Sequence, residues 1–211
     1  LFDAAPVRGE LVRMEATWQE VLNRHAYPAP VRRLLGEMMA AAALLSANLK
    51  FNGALVMQLH GDGPVRMLVV ECLSDLSLRA TAKIAEDAEI ADDASLKQLV
   101  NVHGKGRFAI TLDPKDKLPG QQAYQGIVPL ADEHGPLATM TEVLEHYMQA
   151  SEQLDTRLWL ASNDQVAAGM LLQKLPSYGG TIEAQVGETG APLDEEGRAQ
   201  DLDTWDRACQ L

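Results

Sequence analysis

The segment Val31–Leu45 constrains the fold of this chain more than any other. Val31, Leu34, Leu35, Met38, Met39, Ala42 and Leu45 recur at helical spacing, and Ala40 to Ala43 make the flanks small and apolar too. A helix that is apolar on most sides has little to offer water, so it must be packed inside a core. The rest of the chain has to supply elements that wrap it. Tyr27-Pro28-Ala29-Pro30 ends whatever precedes, and the helix is predicted to start at or just after Pro30, since proline is tolerated in the first turn. The turn signal Asn52-Gly53, after Lys50-Phe51, stops it.

The wrapping elements can be read in outline. Thr17 and Glu20 fit a capping box ahead of a first helix carrying Trp18, Val21, Leu22 and His25. Strands are predicted over Ala54–His60 and Val65–Cys72. Gly61-Asp62-Gly63-Pro64 joins them as a hairpin. Further strands are expected at Leu76–Ile84, Arg107–Leu112 and Gln122–Leu130, with Leu96–Val102 short and ambiguous. A third helix follows a second capping box, Thr139 and Glu142, and places Met140, Val143, Leu144, Tyr147 and Met148 on one face. Thr156–Ala161 and Ala167–Lys174 complete the strands. Hairpins mixed with helices, without strict alternation, predict an α+β fold with a mostly antiparallel sheet core.

Composition divides the chain. Residues 1–175 carry the core. Residues 176–200 hold five glycines, two prolines and many carboxylates with few large apolar residues, and cannot bury enough surface to offset their ordering entropy. They are expected to be a flexible linker. Leu202, Trp205 and Cys209 then begin a new amphipathic helix over 201–211. The net charge is −12; from Pro176 onward eight acidic residues face two arginines, so half of that charge lies in the last segment. Such a balance opposes phosphate-backbone binding and polybasic attachment to a membrane. The longest strongly apolar stretch, Met38–Leu45, is too short to span a bilayer, so a cytoplasmic protein is expected. The chain opens on Leu1-Phe2 and closes in mid-pattern at Gln210-Leu211, which reads as a piece of a longer protein.

No motif carries catalysis. Gly61-x-Gly63 and Gly104-x-Gly106 do not continue into phosphate-binding fingerprints and read as turn glycines. His25, His60, His103, His134 and His146 are scattered, and neither Cys72 nor Cys209 has a Cys or His at metal-ligand spacing. None of the serines lies in a nucleophile elbow. Cys72, in an apolar strand beside Val69 and Val70, reads as a buried, inert thiol. The carboxylate pairs Glu142/Glu145 and Asp92/Asp93 have nothing to set one pKa apart from the other. Met38, Met39, Met57, Met67, Met140, Met148 and Met170 suit an adaptable binding surface, though most are expected to fill the core. By this reading there are no catalytic, cofactor-binding or metal-binding residues, and the chain is not an enzyme.

Seven segments, in order, give a more specific pointer. They are Arg8-Gly9-Glu10-Leu11-Val12; Tyr27-Pro28-Ala29-Pro30-Val31; Leu44-Leu45-Ser46-Ala47-Asn48-Leu49-Lys50-Phe51-Asn52-Gly53; Val56-Met57-Gln58-Leu59-His60-Gly61-Asp62-Gly63-Pro64; Tyr124-Gln125-Gly126-Ile127-Val128; Tyr147-Met148-Gln149-Ala150-Ser151-Glu152-Gln153-Leu154-Asp155-Thr156-Arg157-Leu158; and Ala167-Ala168-Gly169-Met170-Leu171-Leu172-Gln173. In this series the chain resembles the heat shock protein 33 family, the redox-regulated chaperonins of bacteria. The resemblance is strong from Leu1 to Lys174; beyond that the linker matches in position only.

The resemblance implies a cytoplasmic, ATP-independent holdase that binds unfolding proteins, with dimerisation and swapping of the C-terminal part as family possibilities. It also implies one zinc ion held by four C-terminal cysteines, in a C-x-C and a later C-x-x-C, released when oxidants form two disulfides and the adjacent linker unfolds. This chain has neither motif, and Cys72 and Cys209 do not match the switch positions. Zinc is therefore expected in a full-length protein but at no residue here. Apolar positions on the exposed side of the sheet and on the last helix, Trp205 among them, are the expected client contacts. Two other readings stay open: an enzyme with a small-molecule pocket, and an obligate interaction or dimerisation module.

Overall fold

A computed structural model describes residues 7–47, 49, 52–116, 122–175, 205 and 209. Its elements, in order, are β1 (Val7–Met14), α1 (Ala16–Arg24), α2 (Ala29–Ser46), β2 (Gly53–His60), β3 (Val65–Leu73), β4 (Leu78–Ile84), α3 (Leu96–Val100), β5 (Arg107–Pro114), β6 (Tyr124–Pro129), β7 (Ala131–Asp132), β8 (Gly135–Pro136), α4 (Met140–Tyr147), a π-helical turn (Met148–Glu152), β9 (Thr156–Ser162) and β10 (Ala167–Lys174). Five strands form one antiparallel sheet in the order β4-β3-β2-β5-β6, three form another in the order β1-β10-β9, and β7-β8 is a small hairpin. The α+β class follows the sequence reading.

Helix α2 sits where its composition demands. Thirteen of its 18 residues are buried, which is possible only with partners on several sides. It packs on β10, β9 and β1 of the small sheet and on β3, β4 and β2 of the large one. Ala40, Ala41 and Ala42 are fully buried, and their small side chains let both sheets approach closely. Gly36 serves the same end against β9: a Cβ there would lie 2.6 Å from Ser162 Cβ. Beneath it the Trp18 indole is fully buried and donates from Nε1 to Asn163 O at 2.7 Å. Met38, Met39, Met57, Met140 and Met148 are core residues, as expected, whereas Met67 and Met170 are only half-buried.

Several local expectations need correction. Thr17 does not cap α1: the helix starts at Ala16, follows Glu15 without a side-chain cap, and is held by the tertiary contacts of Trp18. Thr139 does accept from Glu142 N, at 3.1 Å, but the Glu142 carboxylate reaches back to Ala138 N rather than closing the box. The ambiguous run Leu96–Val102 resolves into a helix over Leu96–Val100. Its capping box is Ser95 with Gln98, an S-x-x-Q signal that the apolar run had obscured. The strand β1 was not foreseen, because Arg8-Gly9-Glu10 dilutes its alternation and its partner β10 lies some 160 residues away. The hairpin β7-β8 was also missed.

The linker at 176–200 and Leu202 lie outside the described residues. Of the last helix, Trp205 is helical and accepts from Cys209 N at 3.0 Å, an i, i+4 bond.

Candidate functional site

The two sheets use their outer faces differently. Across the five strands of the large sheet one outer row reads Arg79, Glu71, Val56, Thr111, Gln125, the next reads Thr81, Val69, Gln58, Ala109, Ile127, and the one after reads Lys83, Met67, His60, Arg107, Pro129. Arg79 pairs with Glu71, and Gln125 Nε2 donates to Thr111 Oγ1 at 2.8 Å. Polar pairs break this face up, and its exposed apolar side chains, Ile127 on β6 and Leu73 at the end of β3, stand apart from one another.

The small sheet is built otherwise. Strand alternation turns Leu11, Met170 and Trp159 outward, and the register sets them side by side across β1, β10 and β9. Leu11 is 76% exposed and Trp159 is 40% exposed. The row behind is Gly9, Leu172, Arg157, and the row ahead is Arg13, Ala168, Ala161. Charges stand only at the edges. Arg13 pairs with Glu15; Arg157 Nη1 meets Glu145 Oε2 at 3.2 Å, and the other oxygen of Glu145 accepts from Leu158 N at 2.9 Å. An apolar centre with a charged rim is the anatomy of a protein-binding surface. Sequence reasoning named this class of position without residues; alternation within β1 and β9 was the available signal.

The other sequence candidates turn out to be structural. Cys72 is buried in β3; burial pushes its thiol pKa up, against a lowering hydrogen bond from Ser46. The two glycine turns are tied together by Asp62, whose Oδ2 accepts from Lys105 N at 2.7 Å and His103 N at 3.0 Å. Burial opposes ionisation there, but those N–H groups with that of Val102 outweigh it and hold the Asp62 carboxyl below its usual range. A side-chain carboxylate thus takes donors that a phosphate-binding loop would offer its ligand. Asn101 anchors the same corner, donating to Leu130 O and accepting from Gly106 N, both at 3.1 Å. Asn101→Ala leaves the buried Gly106 N without its acceptor, while Leu130 O keeps Leu137 N, and is expected to cost about 1–2 kcal/mol in urea unfolding.

Glu142 and Glu145 are occupied by helix and strand N–H groups rather than by each other. Among the described residues no three His, Cys, Asp or Glu side chains form a group able to hold a metal ion.

The comparisons with known proteins agree with this architecture. The family model described as Hsp33 protein matches residues 1–207. The chain belongs to the Hsp33 family. It is 50% identical over 183 residues to the 33 kDa chaperonin of Chromobacterium violaceum, covering 87% of this chain and 58% of that one. With the 33 kDa chaperonin of Serratia proteamaculans the identity is 42% over 187 residues, covering 87% and 59%. The crystal structure of the 33 kDa chaperonin of Thermotoga maritima superposes with a TM-score of 0.66 at 24% identity, covering 83% of this chain and 59% of that one. That likeness supports the fold. The chain thus spans somewhat under three-fifths of the length of these relatives.

The zinc implied by the family resemblance does not fit the residues described here. Cys72 is enclosed in the core and no donor cluster surrounds it, so no step is assigned to a metal. No helix among the described residues is long and apolar enough to cross a membrane.

Proposed function

We propose that this chain is the client-holding body of an ATP-independent, redox-regulated holdase of the bacterial cytoplasm, acting without catalysis. The observation that carries the reading is the exposed row Leu11, Met170, Trp159 on the small sheet. Apolar burial is non-directional, so such a surface accepts any chain that has lost its fold and needs no sequence code. Its central tryptophan and methionine supply large, adaptable contact area. The net charge of −12 keeps a loaded complex soluble and repels like complexes. Redox control is not assigned to Cys72, which burial shields from oxidants.

The test is light scattering from a heat-unfolded client protein, without ATP. The wild-type chain is expected to suppress aggregation near stoichiometric amounts. Leu11→Asp with Trp159→Asp places two charges in the apolar row and should raise the amount needed by about tenfold or more, each charge opposing burial. Both side chains are on the outer face of the sheet, so circular dichroism should keep its shape and the melting temperature should stay well above the assay temperature, with a modest drop from the partly covered Trp159. Undiminished suppression by the double variant would remove this face as the site. A single tight partner of fixed stoichiometry, with no protection of unrelated clients, would favour an obligate interaction or dimerisation module instead.

A further inference from the structure

A cleft of about 140 Å³ opens where the two sheets meet. Its walls are apolar: Leu45 from α2, Leu55 from β2, Ile110 and Leu112 from β5, Met148 and Leu154 from the π-helical turn and beyond. Two charged groups also line it, and they are placed very differently. Glu152 is already served: its Oε1 accepts from Tyr124 Oη at 3.2 Å and from Tyr147 Oη at 3.3 Å. Arg8 is not. Its Nη2 donates to Gln173 Oε1, and Gln173 is itself buried and held by Thr156 Oγ1 at 3.0 Å. Arg8 Nε, however, is buried without a hydrogen-bond partner, and no carboxylate among the described residues pairs with this guanidinium. A guanidinium beside an apolar cleft with no carboxylate of its own leaves a positive charge there for a ligand to neutralise.

The backbone beside the cleft points the same way. Residues Met148–Glu152 depart from α-geometry into a π-helical turn, and Gln153 closes it with φ 55°, a left-handed conformation that a non-glycine residue adopts at a cost. That departure turns Met148, Glu152 and Leu154 toward the cleft. Such turns occur mostly as local features at functional sites.

We propose that this cleft binds a small apolar monocarboxylate, its hydrocarbon body against Leu55, Ile110, Leu112 and Leu154 and its carboxylate on Arg8. The volume matches a body the size of a benzene ring or a chain of about six carbons. Arg8 is only half-buried and lines the cleft, so the part of its guanidinium that faces the cleft supplies a charge-assisted hydrogen bond to the carboxylate. The sheets contribute different walls, so the bound acid holds them together and raises the unfolding temperature with the logarithm of its concentration above Kd. None of this depends on the chaperone reading, because the cleft lies on the inner side of β1 and the row Leu11, Met170, Trp159 lies on the outer side.

The probe is hexanoate at neutral pH, titrated calorimetrically into the 211-residue chain, with 1-hexanol and hexylammonium as comparators of the same body. Saturable one-to-one binding is expected, about tenfold tighter for hexanoate than for hexanol and weaker still for the cation. Arg8→Met should abolish the preference for hexanoate over hexanol while leaving hexanol bound. Leu112→Trp, which fills the cleft from β5 and keeps Arg8, should abolish both and tests the site even if the Arg8 variant folds poorly. No saturable hexanoate binding up to about 10 mM, or equal affinity for hexanol, overturns the proposal.

Discussion

Trp18→Ala is expected to lower the stability of the chain by about 3–5 kcal/mol, enough to leave a marginally stable domain largely unfolded near body temperature. The indole is fully buried and wedged where α1, α2 and β9 meet, with its Cζ2 3.2 Å from the position of a Cβ on Gly36. Removing it opens a cavity that Gly36 cannot fill and leaves Asn163 O without the indole N–H. Trp18→Phe restores most of the volume but lacks the hydrogen bond and the outer part of the indole that packs on Gly36, so it should recover about half of the loss. Urea unfolding followed by far-UV circular dichroism decides the matter. A loss below about 1 kcal/mol for Trp18→Ala would mean that α1 is not a fixed part of the core.

Glu37 carries the second large effect, and its sign is opposite. This carboxyl lies on α2, half-buried among apolar neighbours, and burial raises its pKa from 4.5 to about 7 although Arg33 pulls it down. Below about pH 4.5 it is protonated folded or unfolded and imposes no penalty. Between 4.5 and 7 the unfolded chain releases the proton while the folded chain retains it, so stability falls as pH rises. Above 7 the penalty is complete, roughly 3 kcal/mol. Glu37→Gln removes the ionisation and should stabilise the chain by most of that amount near pH 8, while the two proteins converge near pH 4. Parallel stability curves for the two proteins across that range would refute the assignment.

The same helix shows how far local pattern reaches. Its burial was legible because an apolar stripe with alanine flanks admits one physical solution, enclosure, whatever encloses it. The β2-β3 hairpin was legible because Gly61-Asp62-Gly63-Pro64 lies between two alternating runs, and the start of α4 because Thr139 supplies a local acceptor for Glu142 N. These signals act over a few residues, the distance at which backbone geometry alone decides the outcome. The helix Leu96–Val100 lies at the limit: its apolar run suits either state, and the two hydrogen bonds between Ser95 and Gln98 tip it. At Thr17 the same kind of signal failed, because the buried indole of Trp18 sets where α1 stands.

The candidate site belongs to the other category. Leu11, Met170 and Trp159 meet only because β10 runs between β1 and β9, and nothing within eight residues of Leu11 states that its neighbour will be residue 170. The cleft is of the same kind: Arg8 reaches Gln173 across 165 residues, and the walls come from both sheets. The sequence by itself determined the buried central helix, most of the strands and the antiparallel α+β class, since each follows from short-range periodicity and turn chemistry. The tertiary structure alone decided which apolar side chains stay exposed and which charged one stays unanswered, because exposure depends on strand pairing between distant segments, and local pattern does not specify that pairing.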